Sequence, residues 1–195
     1  QLLIEEADRT SQELGLRRGA FGLYKGSTLE KAGKKRRNSS LLGIAPTGTI
    51  SLIANVSGGI EPNYALTYRR TVADGRDLIV VNPYFEESEH GIEEEVLRKI
   101  VARGYIDQTD EVPDWVRRVF VTAQQITPNA HIQIQAAFQR HVDGAISKTI
   151  NFPSNATIRD IGDGMMLAWK SGCKGITAYR DGSLSQQVLT SGGSQ

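Results

Sequence analysis

At 195 residues the chain is long enough to bury a core of its own or to form a large piece of a bigger domain. Apolar residues make up 39% and charged residues 23%, a balance that excludes a disordered or fibrous chain. A net charge of +1 gives no global field toward nucleic acid or membrane, and no apolar run nears the ~20 residues of a membrane span. The basic run Lys34-Lys35-Arg36-Arg37 is local and reads as a solvated loop. The single cysteine, Cys173, has no internal disulfide partner, which fits a reducing cytoplasm, and reads as a buried inert thiol. Gln1 opens directly on a helical pattern and the tail 191–195 has linker composition, so a fragment of something longer is expected.

In chain order, Leu3, Ala7 and Leu14 predict an amphipathic helix over 2–14. Residues 15–40 read mainly as loop. Leu41 to Ala45 has the apolar character of a buried parallel strand, and residues 50–54 suit one or two helical turns. Residues 64–72 and 78–81 flank Asp74-Gly75, a hairpin signal. Ile92, Val96, Ile100 and Val101 predict a helix capped by Gly104, and Pro113-Asp114 opens another through Phe120. Pro128 starts a helix with Ile134, Phe138 and Val142 as its apolar stripe, which leaves His131 and Gln135 on a solvated face. Lys148 to Phe152 reads as a strand. Thr157 and Asp160 resemble a capping box for a helix that shows Ile158, Ile161, Met165, Ala168 and Trp169 on one side. Gly172 ends it, and residues 174–179 form a final strand. The alternation in the last third predicts an α/β fold with parallel strands.

One turn stands out, Ala45-Pro46-Thr47-Gly48-Thr49, between a strand and a helix. Its spacing approaches a phosphate-binding P-loop but lacks the lysine. The physics of such a turn does not need that lysine. Pro46 fixes φ, Gly48 allows close approach, and the first amides of the following helix have no internal partners. Hydroxyls on Thr47, Thr49 and Ser51 add donors. The competing reading is that Thr49 merely caps the helix. The histidines, His90, His131 and His141, lack metal-ligand spacing, and no Ser/His/Asp order points to a hydrolase.

Four stretches, 36–70 (RRNSSLLGIAPTGTISLIANVSGGIEPNYALTYRR), 81–87 (VNPYFEE), 119–153 (VFVTAQQITPNAHIQIQAAFQRHVDGAISKTINFP) and 167–183 (LAWKSGCKGITAYRDGS), together resemble the C-terminal part of the catalytic subunit of adenosylcobalamin-dependent (class II) ribonucleotide reductases. The resemblance runs from about Ala20 to Leu189. It implies the C-terminal portion of a ten-stranded α/β barrel over 1–189, incomplete in this chain, with a flexible tail at 190–195. It implies that the turn receives the substrate's diphosphate on Thr47, Gly48, Thr49, Ile50 (amide only) and Ser51, with Pro46 shaping the loop. The substrate it implies is a ribonucleoside diphosphate or triphosphate. The implied cofactor is adenosylcobalamin, and the implied partners are the missing N-terminal part and a thioredoxin-type reductant, with no membrane and no nucleic acid.

Relatives that import their radical carry a Tyr-Tyr pair on the last barrel strand, where this chain has Thr177-Ala178. Neither is a phenol, which favours a radical made locally by the cofactor. The family's radical cysteine, its partner Asn and Glu and its redox cysteine pair lie upstream, and the tail cysteines lie downstream. No catalytic or metal residue is therefore expected here, and the isolated chain is expected to be inactive. Exposed strand edges are expected wherever the rest of a barrel is missing. Two other readings stay open: a free-standing nucleotide- or phosphate-binding module without redox activity, and a structural assembly segment completed by a partner chain.

Overall fold

The computed structural model describes residues 1–54, 56–71, 77–86, 91–183 and 189–191. Helix α1 (Leu2–Arg18) runs past its expected end and packs on a different face. Leu3 is 76% exposed, while Ser11 and Gly15 are buried. The cause is a strap of main chain. A Cβ on Gly15 would lie 2.2 Å from the Lys35 carbonyl oxygen, so only glycine admits the strap. The Arg37 amide donates to the Ser11 carbonyl (2.8 Å) and the Asn38 amide to Ser11 Oγ (3.1 Å). The basic run is not simply solvated either. Arg36 is buried and pairs with Asp8 (3.2 Å) and Asp143 (3.1 Å). Its neighbour Lys34 also reaches Asp8.

A short helix α2 (Thr28–Lys31), capped by Ser27, interrupts the expected loop. Leu41 to Ala45 falls short of a full strand. It makes one parallel bridge, Ile44 to Ile146, flanked by Gly144 N donating to Leu42 O (2.8 Å) and Ser147 N to Ile44 O (2.9 Å). Helix α3 (Ile50–Ile53) follows the turn.

The hairpin is present: β1 (Thr67–Thr71) and β2 (Asp77–Val81) pair antiparallel with Tyr68 opposite Val80. Asp74-Gly75 lies outside the described residues. Across the other edge of β1 lies residues 189–191, antiparallel, so two residues assigned to the tail, Thr190 and Ser191, join this sheet. Residues 192–195 lie outside the described residues.

Helices α4 (Pro83–Glu86), α5 (Glu94–Arg103) and α6 (Asp114–Val119) gather around the first core. Leu66, Phe85, Ile100, Ile106, Val116 and Phe120 are buried there, with Phe85 and Phe120 edge to face at 5.2 Å. Gly104 ends α5 in the left-handed region (φ 82°), where glycine carries no steric penalty.

The second core holds the parallel strands. Helix α7 (Pro128–Gln139) and helix α8 (Ile158–Lys170) cover β3 (Thr149–Phe152), which pairs with β4 (Thr177–Arg180) in register Thr149 to Thr177. The final strand of the sequence reading is thus β4, and residues 189–191 form β5 (Leu189–Ser191). The capping box of α8 is formed: Thr157 N donates to Asp160 Oδ2 (2.7 Å) and Asp160 N to Thr157 Oγ1 (3.2 Å). Its packed side is the expected one only at Ala168, which is buried, and Ile161, which packs against the core. Gly164 and Ala168 are buried, whereas Ile158, Met165 and Trp169 are exposed. A Cβ on Gly164 would come 2.9 Å from the Phe152 ring, so a smooth face lets α8 lie close on β3. No helix among the described residues is long and apolar enough to cross a membrane.

The strap over α1 sets a stability test. Gly15→Ala gains about 1 kcal/mol of helix propensity but forces the Lys35 carbonyl away, and overpacking of this kind costs about 1–3 kcal/mol. Urea denaturation should show net destabilisation, in contrast to the gain that an unobstructed helical glycine gives.

Candidate phosphate-binding turn and the buried lysine behind it

The turn at 46–51 is exposed or half-buried throughout. Thr47 sits at φ 52°, in the left-handed region that a β-branched residue occupies only at a cost of about 1–2 kcal/mol. The amides of Gly48, Thr49 and Ile50 take no hydrogen-bond partner among the described residues. The Ser51 amide, by contrast, donates to Thr47 O (2.9 Å), and Ser51 Oγ donates to Gly48 O (3.3 Å). Ser51 therefore closes the turn, while the amides before it stay open. Thr47 Oγ1 accepts from Gly59 N (2.9 Å) and keeps its own proton to donate. A Cβ built on Gly48 meets nothing within 4 Å beyond its chain neighbours, so the space beside Gly48 is open.

A second turn backs the first. Glu61 N donates to Gly58 O (2.9 Å), closing residues 58–61. Here side chains have no room: a Cβ on Gly58 would lie 3.0 Å from Pro46 O, and one on Gly59 3.2 Å from Ala45 O. Gly59 also has φ 53°.

Glu61 leads inward to a cluster that the sequence reading did not single out. The Lys148 side chain is fully buried, and its ammonium has three acceptors for three protons. These are Glu61 Oε2 (2.7 Å), His131 Nδ1 (2.9 Å) and Thr149 O (3.1 Å). The other Glu61 oxygen accepts from Thr149 N. Because Lys148 donates to Nδ1, the proton of a neutral His131 sits on Nε2 and is given to Ala123 O (3.0 Å). Burial, and secondarily the nearby ammonium, hold the imidazole pKa below its ordinary value, against the opposing pulls of the Ala123 carbonyl and Glu61.

His131 and Gln135 are thus core residues and not a solvated face; Ile134 and Phe138 are the exposed ones. The reason is local. The polar row of α7 satisfies carbonyls of irregular segments: Gln135 Nε2 donates to Gly175 O (2.7 Å), and Gln139 Nε2 to Val142 O and Gly144 O (both 2.9 Å). The signal was readable as polar residues at i, i+4 and i+8 on one face.

Elsewhere, Cys173 is half-buried beside the second core, and burial pushes its thiol pKa up, away from reactivity. His141 is exposed, His90 lies outside the described residues, and no cluster of three metal-ligating side chains occurs among the described residues. On β4, Thr177 and Ala178 are exposed and Tyr179 is half-buried. Burial, and secondarily the charges of Tyr179 and Asp181, raise the Tyr64 phenol pKa.

The sequence profile described as "Ribonucleotide reductase, barrel domain" matches residues 27–179. A vitamin B12-dependent ribonucleoside-diphosphate reductase of Thermoplasma acidophilum is 46% identical over 191 residues, covering 96% of this chain and 25% of the relative. The protein of the same description from Mycobacterium tuberculosis is 43% identical over 192 residues, covering 96% of this chain and 28% of its own length. Among solved structures, the Actinobacillus ureae class Id ribonucleotide reductase alpha subunit matches with a TM-score of 0.67 at 26% identity, over 92% of this chain and 32% of that one. The chain spans about a quarter of the length of these curated relatives.

The neutral, buried His131 makes a pH prediction. An unfolded histidine titrates near about 6.5, while the folded imidazole stays neutral to lower pH. Between those values the unfolded chain binds more protons, so stability is full above about pH 6.5 and falls as pH drops through the folded-state value. Denaturation at pH 7, 6 and 5 should show this loss, with a shallower slope in His131→Gln. Equal slopes would mean that His131 is not held neutral.

Proposed function

The chain belongs to the ribonucleotide reductase family, as part of its barrel domain, and we propose that it supplies the substrate's phosphate seat and the closing strands of a ten-stranded barrel in an adenosylcobalamin-dependent enzyme. That enzyme would replace the ribose 2′-hydroxyl of a ribonucleotide by hydrogen. A thioredoxin-type dithiol would provide the two electrons, the cytoplasm the setting, and the remaining three-quarters of the polypeptide the radical cysteine. The names of the relatives, vitamin B12-dependent reductases, support the cofactor and the diphosphate as substrate.

One observation carries the phosphate reading. Thr47 is held left-handed, and the three amides after it have no partners among the described residues. Strained backbone persists where the surroundings over-determine it, often at ligand clamps. Three amides, with the Thr47 and Thr49 hydroxyls, make five donors. A hydrogen bond to a charged group contributes about 1.5–3 kcal/mol, so no lysine is needed. Pro46 shapes the entry, Ile50 contributes its amide only, and Ser51 keeps the turn closed.

Adenosylcobalamin, when bound, supplies the radical by homolysis of its cobalt–carbon bond. His131 has both ring nitrogens engaged and does not fit as a cobalt ligand, so no residue of this chain is assigned to hold the cofactor and no step is derived through it. Thr177 and Ala178 support local radical generation because neither offers a phenol for relay.

Gly48→Val tests the seat, since a Cβ at this position meets no atom beyond its chain neighbours within 4 Å and the added bulk falls where a ligand would approach. In the full-length enzyme it should weaken ribonucleoside diphosphate binding at least tenfold by calorimetry, about 1.4 kcal/mol; unchanged affinity would remove the phosphate role. Separately, the full-length enzyme should turn over with adenosylcobalamin and no metal-containing radical subunit, as measured by deoxyribonucleotide formation. A strict requirement for such a subunit would overturn the cofactor assignment.

A further inference from the structure

We propose that Lys148 is a positioning residue for the phosphate turn, acting through Glu61. The inference rests on the reading of residues 47–51 as the phosphate seat. The chain of contacts is continuous. The Lys148 ammonium holds Glu61 Oε2 at 2.7 Å, and the Thr149 amide holds the other carboxylate oxygen. Glu61 closes the 58–61 turn, and Gly59 in turn donates to Thr47 Oγ1 at 2.9 Å. Thr47 is the one non-glycine residue with positive φ among the described residues, so the group that needs holding is the one that the network reaches.

A purely cohesive role would be met more simply by apolar side chains, because replacing both members of a buried ion pair by well-packed neutral groups often leaves stability unchanged. What a neutral pair loses is direction. The ammonium's three acceptors fix Glu61 relative to β3 and α7, the rigid elements of the second core. With that anchor gone, Gly58 and Gly59, which carry no side chain to hold them, are free to move away from Pro46 and Thr47.

The full-length enzyme tests this. Kinetics with a ribonucleoside diphosphate are compared with competitive inhibition by the corresponding nucleoside, which lacks phosphates. The variants are Glu61→Gln, the double substitution Glu61→Gln/Lys148→Met, and Gly48→Val as reference. Single Lys148→Met is avoided because it strands the Glu61 carboxylate without its counter-charge. The double variant should fold, with a melting temperature near that of the parent. Its KM for the diphosphate should rise at least tenfold, its kcat fall less than threefold, and its nucleoside inhibition constant stay within twofold. An unchanged KM overturns the proposal. So does a parallel rise of KM and nucleoside inhibition constant, which marks general damage, and so does a double variant that does not fold, which assigns the pair to stability alone. If Gly48→Val raises KM while the double variant does not, the positioning role falls and the phosphate seat stands. If Gly48→Val leaves KM unchanged, the seat itself falls.

Discussion

A single ammonium group, buried beyond reach of solvent, ties together the parts of this chain that are not regular structure. Burying a charge is unfavourable unless it is paired and fully hydrogen-bonded, and Lys148 meets both conditions through Glu61, His131 and Thr149 O. The circuit closes on itself. His131 Nε2–H donates to Ala123 O, and Ala123 N donates to Asn63 O at 2.8 Å, two residues along from Glu61. A loop, the 3-10 turn Ala123–Gln125, helix α7 and strand β3 therefore share one hydrogen-bonded ring. Each member leaves a buried polar group stranded if it moves alone, which is why such networks specify one arrangement.

The same stretch of main chain supports both limbs of the 46–51 turn. Asp143 accepts from the Leu41 amide (3.1 Å) and from Arg36. Gly144 and Ser147 donate to Leu42 and Ile44 on the entry limb, and Lys148 and Thr149 hold Glu61 on the exit limb. Residues 143–149 thus act as a common base. Glycine makes the close approach possible: a Cβ on Gly144 would lie 3.1 Å from Leu42 O, and one on Gly58 3.0 Å from Pro46 O. With both limbs fixed, Thr47 holds an unfavourable φ that an unsupported loop would relax.

Much of this was legible from residue pattern. The hairpin, the Gly104 cap, the Pro128 start, the Thr157–Asp160 box and the β3–α8–β4 crossover all follow from local chemistry that acts within a few residues. The face of α5 followed as well, with Ile100 in the core and Ile92 and Val96 against it, but the faces of α1, α7 and part of α8 did not, and the failures share a cause. A stripe reading assumes that apolar atoms seek the interior and polar atoms the solvent. On α1 the interior face is chosen by closeness of main chain and on α8 by closeness of the Phe152 ring, so Gly15 and Gly164 win over leucine and tryptophan. On α7 it is chosen by unpaired carbonyls, so His131, Gln135 and Gln139 win over Ile134 and Phe138. The turn itself was visible because proline, glycine and hydroxyls cluster within it. The lysine behind it was not, because Glu61 and Lys148 are separated by 87 residues and neither carries a local motif.

The absence of a cation in the turn gives the distant lysine its importance. A lysine or arginine attracts an anion over a long range and tolerates a displaced backbone, because its side chain adjusts. Main-chain amides do neither. Their attraction is dipolar and directional, and it weakens steeply as donor angles depart from linearity. A cradle of amides alone is therefore only as good as the accuracy with which its backbone is held. On the proposed reading, a charged pair behind the turn, at Lys148 and Glu61, leaves residues 46–51 without a charged side chain and puts the strong interaction into geometry. Donors that already point correctly need no reorganisation when an anion arrives, and this is the condition under which a small set of dipoles is most effective.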